Sequence, residues 1–144
     1  MSCNIRHVGI VVHNLDRSLE FWCNGLGFKI LKIMDETGEY IDNLFNLKNV
    51  KLRTVKIEDK SKNNIIELLK FESHPCDSRW NGSPYSNGLT HLALTIDNLE
   101  MTIQKLKFFD FCPLGEVQYS IDGKVKIIYA KGPEGILLEL VEEL

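Results

Sequence analysis

Long apolar runs are missing from this 144-residue sequence, and no stretch is long enough to cross a bilayer. The first residues also lack the apolar run of a signal peptide. With 17 basic against 20 acidic residues the net charge is −3, which provides no basic surface for nucleic acid or for anionic membranes. These absences predict a cytoplasmic protein with neither a nucleic-acid nor a membrane partner.

The cysteines are scattered along the chain and show no motif. The four cysteines form no C-x-x-C pair, and in a reducing compartment we interpret them as free thiols. The remaining composition, 44% apolar and 26% charged, is ordinary for a globular protein. A chain of this length predicts a single domain, residues 1–144, built from two small modules.

Two segments of the chain repeat each other at a distance of 84 residues (91 − 7). The first reads HVGIVVHNLDRSLEFW from His7, and it aligns without a gap with HLALTIDNLEMTIQKL from His91. Each predicts a buried strand followed by a helix, with Asn14 or Asp16 as the N-cap in the first copy and Asn98 in the second. The agreement in helix phase indicates a duplicated structural unit.

Three strand candidates follow each helix, so the chain predicts an α+β fold of two βαβββ modules. The modules comprise about residues 4–71 and 88–144, and a loop rich in Pro, Gly, Ser and Asn joins them at 72–87. The strand candidates are 27–34, 50–58 and 64–71 in the first module and 115–120, 124–131 and 136–142 in the second. Residues 35–49 are an insertion in the first module, where we expect a short helix.

Side-chain alternation along a strand indicates a cavity beside each histidine. Gly9 lies on the face of His7, and Ala93 lies on the face of His91, whereas Val, Ile and Leu occupy the opposite faces. The large apolar side chains would pack against the helices. The small neighbours therefore leave room for a ligand beside each imidazole.

A glutamate occupies the last strand of each module at a matching place. Glu67 lies in IIELL and Glu139 lies in LLELV, where a carboxylate among aliphatic side chains needs a cation or several donors to compensate its burial. Two imidazoles and two carboxylates suit a divalent ion such as Ni²⁺, Co²⁺, Zn²⁺, Mn²⁺ or Fe²⁺, and the sequence does not choose among them. His7, Glu67, His91 and Glu139 are therefore our candidate metal ligands, and an octahedral ion would keep two positions open.

Other polar residues are weaker candidates. His13 matches Asp97 in the second copy and is interpreted as a surface residue, and His74 and Cys76 are interpreted as ordinary loop residues. Residues 56–62 mix both charge signs and predict a solvated turn.

The sequence resembles the vicinal oxygen chelate superfamily, which includes glyoxalase I, methylmalonyl-CoA epimerase, ring-cleaving dioxygenases and the fosfomycin and bleomycin resistance proteins. The matching strings are HVGIVVHNLDRSLEFW with LGF after it, GLTHLALTIDNLE and GPEGILLELVE, and they cover almost the whole chain. The resemblance implies paired βαβββ modules whose sheets form a curved cup around a metal ion. It also implies a homodimer.

Carried over by position, the metal ligands of the superfamily fall on His7, Glu67, His91 and Glu139. A His-Glu-His-Glu set is most similar to bacterial glyoxalase I, which implies a lyase or isomerase acting on a small substrate with two neighbouring oxygens. In such a mechanism the metal ion stabilises the enediolate formed when a proton leaves the carbon next to a carbonyl. The resemblance implies that Glu139 or Glu67 is the catalytic base.

Two alternatives stay open beside this hypothesis. A ring-cleaving Fe²⁺ dioxygenase of the superfamily uses two His and one Glu, which His7, His91 and Glu139 could supply with Tyr129 as an acid-base partner. A non-catalytic protein of the bleomycin-resistance type would use the same cup to bind a drug or another small molecule. The sequence favours proton transfer, because Glu67 would fill a position that oxygen needs.

Overall fold

The computed structural model describes residues 2–76, 80 and 82–144, and the chain forms two compact units. The first unit comprises Met1–Asp77 and the second comprises Ser78–Leu144, so their boundary falls within the expected joining loop, of which residues 77–79 and 81 lie outside the described part. No helix in the described part of the chain is long and apolar enough to span a membrane. Each unit contains one sheet and its helices, which confirms the predicted α+β class.

The first unit consists of a four-stranded sheet and two helices. Its elements are β1 (Val8–Val11), α1 (Leu15–Leu19), β2 (Lys29–Thr37), α2 (Glu39–Phe45), β3 (Lys51–Glu58) and β4 (Ile65–Phe71). The strand order is β1-β4-β3-β2, with β1 parallel to β4 and the other neighbours antiparallel. This order places the first strand of the module beside its last strand.

Helix α1 begins where the sequence predicts a capped helix. The Oδ1 atom of Asn14 accepts the backbone N–H of Arg17 at 3.0 Å, which satisfies one of the donors left open at a helix start. The helix continues as π-helical turns over Glu20–Gly25, where Trp22 is buried. The chain then turns at Gly27 with φ 81°, a backbone conformation that glycine adopts without strain.

The expected insertion holds a helix, but the helix starts only after β2, which extends to Thr37. Ile41 of α2 packs with Leu52 of β3, and Leu69 of β4 joins this apolar cluster. Because Leu69 lies two residues after Glu67, both side chains are on one face of the sheet. Helix α2 therefore covers one end of the face that carries Glu67.

The second unit repeats this plan. Its elements are β5 (His91–Thr95), α3 (Leu99–Leu106), β6 (Cys112–Pro113), β7 (Gln118–Tyr119), β8 (Val125–Lys131), a 3₁₀ turn (Pro133–Gly135) and β9 (Leu137–Glu143). The strand order is β5-β9-β8-β6, β7 also pairs with β8, and β5 is parallel to β9. Asn98 caps α3 by accepting the backbone N–H of Met101 at 2.8 Å, as its match Asn14 does in the first unit.

The predicted strand 115–120 is wrong in its extent. Strand β6 begins earlier, at Cys112, and β7 is a separate two-residue strand. Pro113 has no N–H with which to continue a ladder, although the backbone N–H of Leu114 still donates to the carbonyl oxygen of Tyr129 at 2.9 Å. This edge of the second sheet is therefore interrupted, whereas β2 in the first unit is a continuous nine-residue strand.

A nearly buried lysine connects the helix and the sheet of the second unit. Lys126 Nζ lies 2.9 Å from an oxygen of both Glu100 and Glu142, and its side chain is 10% exposed. Hydrogen bonds to Glu100 and Glu142 raise the pKa of Lys126. Glu142 also accepts the backbone N–H of Leu99 at 2.6 Å, and this bond together with the one from Lys126 lowers the pKa of Glu142. The three charges thus hold the start of α3 against β8 and β9.

Candidate metal centre

The first predicted pair of ligands meets in the first unit. His7 directly precedes β1, and Glu67 lies in the middle of β4, where it stands opposite Gly9 in the parallel register. His7 Nε2 is 3.0 Å from Glu67 Oε2, and the Glu67 side chain is only 15% exposed. Parallel pairing of the first and last strands thus joins two residues that are 60 positions apart (67 − 7).

The second predicted pair meets in the second unit in the same way. His91 begins β5, and Glu139 stands opposite Ala93 in the parallel register of β5 and β9. His91 Nε2 is 3.2 Å from Glu139 Oε2. The other ring nitrogen of His91, Nδ1, lies 3.1 Å from the Thr90 hydroxyl oxygen, a contact that constrains the orientation of the ring.

The strand faces are those that alternation predicts. In β1 the exposed positions are Gly9 and Val11, whereas Val8 and Ile10 are partly buried. The same alternation runs along β5. Gly9 and Ala93, the residues across from the two glutamates, therefore share the more exposed face with their histidines.

Sequence reasoning missed the role of Lys56. Lys56 belongs both to the strand predicted at 50–58 and to the turn predicted at 56–62, and it lies inside β3, directly opposite Glu67. Its Nζ atom is 3.6 Å from Glu67 Oε1, whereas His7 Nε2 lies 3.0 Å from Oε2. The signal was present in the register, because a β3–β4 hairpin with its turn at residues 59–64 places Lys56 across from Glu67.

Tyr129 takes the corresponding position in the second unit, where it stands opposite Glu139 on β8. Its hydroxyl donates to Glu139 Oε2 at 2.9 Å and lies 3.4 Å from His91 Nε2. The two rings meet edge to face with centroids 5.2 Å apart. Burial, the hydrogen bond to Glu139 and its negative charge raise the pKa of Tyr129, so the phenol remains a neutral donor at neutral pH.

Both pairs have donor atoms and spacings that suit a metal ion. Two ligand atoms that each lie about 2.1 Å from one ion, at right angles, are about 3 Å apart, close to the separations in the two His–Glu pairs. Imidazole and carboxylate together suit borderline divalent ions. Within the described ranges no group of three or more His, Cys, Asp or Glu side chains is placed to hold one ion, so the four-ligand set stays a prediction.

The remaining candidates lie apart from these pairs. His13 is exposed, as predicted, and the Nδ1 atom of His74 is 2.7 Å from the hydroxyl oxygen of Ser73. Cys76 is exposed and lies in the joining segment.

Solved structures of similar fold agree with the architecture. A glyoxalase family protein from Bacillus cereus superposes with a TM-score of 0.90 at 24% identity, covering 100% of this chain and 96% of the other. A trypanothione-dependent glyoxalase I from Leishmania major superposes with a TM-score of 0.67 at 19% identity, covering 99% and 88% of the two chains. At these identities the likeness establishes the fold.

Sequence comparison extends the likeness to named relatives. A probable lactoylglutathione lyase from Synechocystis is 28% identical over 139 residues, which cover 94% of this chain and 92% of that protein. A probable lactoylglutathione lyase from Vibrio parahaemolyticus is 25% identical over 140 residues, which cover 96% and 89%. A family model matches residues 4–140. The chain therefore belongs to the Glyoxalase/Bleomycin resistance protein/Dioxygenase superfamily.

Proposed function

We propose that this protein is a metal-dependent lyase or isomerase that removes a proton from the carbon next to a carbonyl. His7, Glu67, His91 and Glu139 together would hold one divalent ion, and the substrate would offer it two neighbouring oxygens. The observation that carries the proposal is the repeated His–Glu contact, in matching parallel register, in both sheets. A chance histidine or glutamate in one strand would have no counterpart in the other unit.

The donor set determines what chemistry is accessible. A bound divalent ion would polarise a carbonyl oxygen and make the neighbouring C–H bond more acidic. The two glutamates would be the carboxylates that accept that proton. The Tyr129 hydroxyl donates to the oxygen of Glu139 that also faces His91, whereas Glu67 is contacted at one oxygen by His7 and at the other by Lys56.

The relatives named probable lactoylglutathione lyase make lactoylglutathione the first substrate to test. In heavy water, the Ni²⁺-loaded protein should exchange the proton next to the thioester carbonyl for deuterium, which proton NMR detects as loss of that signal. Glu139→Gln and Glu67→Gln are the matched variants. The variant that lacks the base should lose at least about 100-fold in exchange rate while calorimetry still detects bound metal.

Two results would contradict the proposal. One is wild-type protein that binds no divalent ion, and the other is unchanged exchange in both glutamine variants. If lactoylglutathione is inert while metal binds, the same exchange assay applies to other 2-hydroxyacyl and 2-oxo compounds, because the proposal concerns the proton transfer and not the glutathione group.

One observation favours a ring-cleaving Fe²⁺ dioxygenase as a second candidate. Tyr129 contacts both His91 and Glu139, where a phenol could exchange protons with a catechol. Against it stands Glu67, a carboxylate beyond the two His and one Glu that such a site requires. Oxygen uptake by iron-loaded protein supplied with catechol would establish this candidate, and its absence would eliminate it.

A further inference from the structure

A row of residues crosses the whole first sheet at the level of Glu67. In the order of the strands β1, β4, β3 and β2 it reads Gly9, Glu67, Lys56 and Lys32, each opposite the next in register. Directly opposed residues share one face of a sheet. Two lysines therefore lie in succession on the side of Glu67 that is away from His7.

The matching row of the second sheet carries no lysine. It begins with Ala93, Glu139 and Tyr129, and at its edge the backbone N–H of Leu114 donates to the carbonyl oxygen of Tyr129. Both rows thus begin with a small residue and a glutamate, and they differ at the third position. What the first row adds is positive charge, which a repeated metal site does not require.

Lys56 is only loosely paired with its carboxylate. Its Nζ atom is 3.6 Å from Glu67 Oε1, longer than a hydrogen bond, and its side chain is 28% exposed. Glu58 follows two residues later on the same face of β3, and it stands directly opposite Lys29. Within the row itself, Glu67 is the single carboxylate for both Lys56 and Lys32.

Charge balance indicates what the two lysines would meet. A divalent ion held by two carboxylates and two neutral imidazoles is neutral overall. The ammonium groups of Lys56 and Lys32 then remain as excess positive charge within the row, and Glu36, four residues from Lys32 on the same face of β2, offsets only one of them. Excess charge of one sign beside a ligand site attracts and orients ligands of the opposite sign.

We propose that Lys56, supported by Lys32, binds an anionic group of the substrate in addition to the two oxygens that the metal would hold. The substrate class is then a carbonyl compound with a carboxylate or similar fixed anion about one to two strand spacings, roughly 5–10 Å, from its chelating oxygens. This inference rests on the proposed function.

Two chelators that differ only in charge provide the test. Succinic acid monohydroxamate and its methyl ester share the metal-binding hydroxamate, but only the first carries a carboxylate on its tail. In isothermal titration of the Ni²⁺-loaded protein, the charged probe should bind about tenfold more tightly than the ester, as expected for a charge-assisted hydrogen bond. Sodium chloride should reduce this preference, because it screens exposed charges.

Matched variants locate the effect. Lys56→Met should reduce the preference to about twofold or less, and Lys32→Met should reduce it in part. Lys51→Met is the control, because Lys51 lies on the same strand but an odd number of residues from Lys56 and hence on the opposite face. It should keep the full preference. Lys56→Gln repeats the test with a polar side chain if the methionine variant unfolds.

The outcomes separate this inference from the proposed function. Equal binding of both probes to the wild type, or an intact preference in both Lys56 variants, would overturn the anion site and leave the metal site standing. Failure of both probes to bind protein that has taken up Ni²⁺ would contradict the proposed function, and with it this inference.

Discussion

The two units build the same His–Glu contact and then surround it differently. In the first unit Glu67 faces an ammonium group from Lys56, and in the second Glu139 faces the neutral hydroxyl of Tyr129. Register places the two partners at the same point of their hairpins, directly across from the glutamate. The repeat therefore retains the potential metal ligands, while their neighbours have diverged into one charged and one uncharged surrounding.

A second difference lies on the opposite face of each sheet. Lys126 occupies in the second unit the place that Arg53 occupies in the first, three residues before Tyr129 and Lys56 respectively. Lys126 is almost buried between Glu100 and Glu142, whereas Arg53 forms an exposed bidentate pair with Asp35. The second unit thus joins its helix to its sheet through a nearly buried charge network, whereas the pair at the matching place of the first unit is exposed.

Matched core substitutions should have the largest effect on stability, and this effect should be similar in the two units. Leu68 and Leu140 are the fully buried residues that follow the two glutamates. Each change to Ala should lower the free energy of unfolding by about 2–5 kcal/mol, from lost burial plus the cavity left behind. Urea denaturation measures this. The exposed Leu44 is the control, and its change to Ala should cost less than about 0.5 kcal/mol.

A large difference between the losses of unfolding free energy in the two leucine variants would contradict the similarity of the two cores. If one cost about as little as the control, the unit concerned would lack the packing that its fully buried leucine indicates.

Substitutions in the charged clusters should have the next largest effect on stability, and this effect should differ between the two units. Lys126→Met leaves Glu100 and Glu142 facing each other without a cation, so the melting temperature should fall by several degrees. Arg53→Met removes a pair whose side chains are at least half exposed, so the melting temperature should change by only about 1–2 °C. Thermal denaturation followed by circular dichroism compares the two, and equal shifts would contradict the assigned difference.

The smallest expected effect is a pH dependence that belongs to the second unit. Because the fold lowers the pKa of Glu142, its contribution to stability is fully present above the unfolded value of about 4.3 and is lost as the pH falls through the folded pKa. Wild type should therefore exceed Glu142→Gln in stability at pH 6, and the gap should shrink toward pH 3. Denaturant titrations across this range measure the difference in stability. A difference that does not change with pH would exclude a stabilising role for the ionised Glu142 carboxylate.

Most of the architecture could be predicted because the repeat supplies each inference twice. The caps Asn14 and Asn98, the strand that starts each module and the glutamate in its last strand all recur in the sequence. A sequence pattern that appears only once supports a weaker prediction of structure. The strand predicted at 115–120 is reduced to Gln118–Tyr119, a second short strand precedes it at Cys112–Pro113, and local composition does not reveal where pairing stops or resumes.

The partners of the two glutamates were harder to predict than the glutamates themselves. Lys56 stands at the start of a mixed-charge run that resembles a turn, and only cross-strand register shows that it faces Glu67. Tyr129 is one of several aromatic residues in the chain, and its contact with Glu139 again depends on register. Register is set by pairing between strands, so no local property of either residue reveals it.

Our central proposal is that the two His–Glu pairs would together hold one divalent ion. Calorimetric titration of chelator-treated protein with Ni²⁺ tests it most directly, using the wild type and the single variants His7→Ala and His91→Ala. The account predicts one ion per chain and a loss of more than about 100-fold in affinity for either variant, since even outer partners of metal ligands contribute about 10–100-fold. Two ions per chain, no binding, or a variant with unchanged affinity would contradict it.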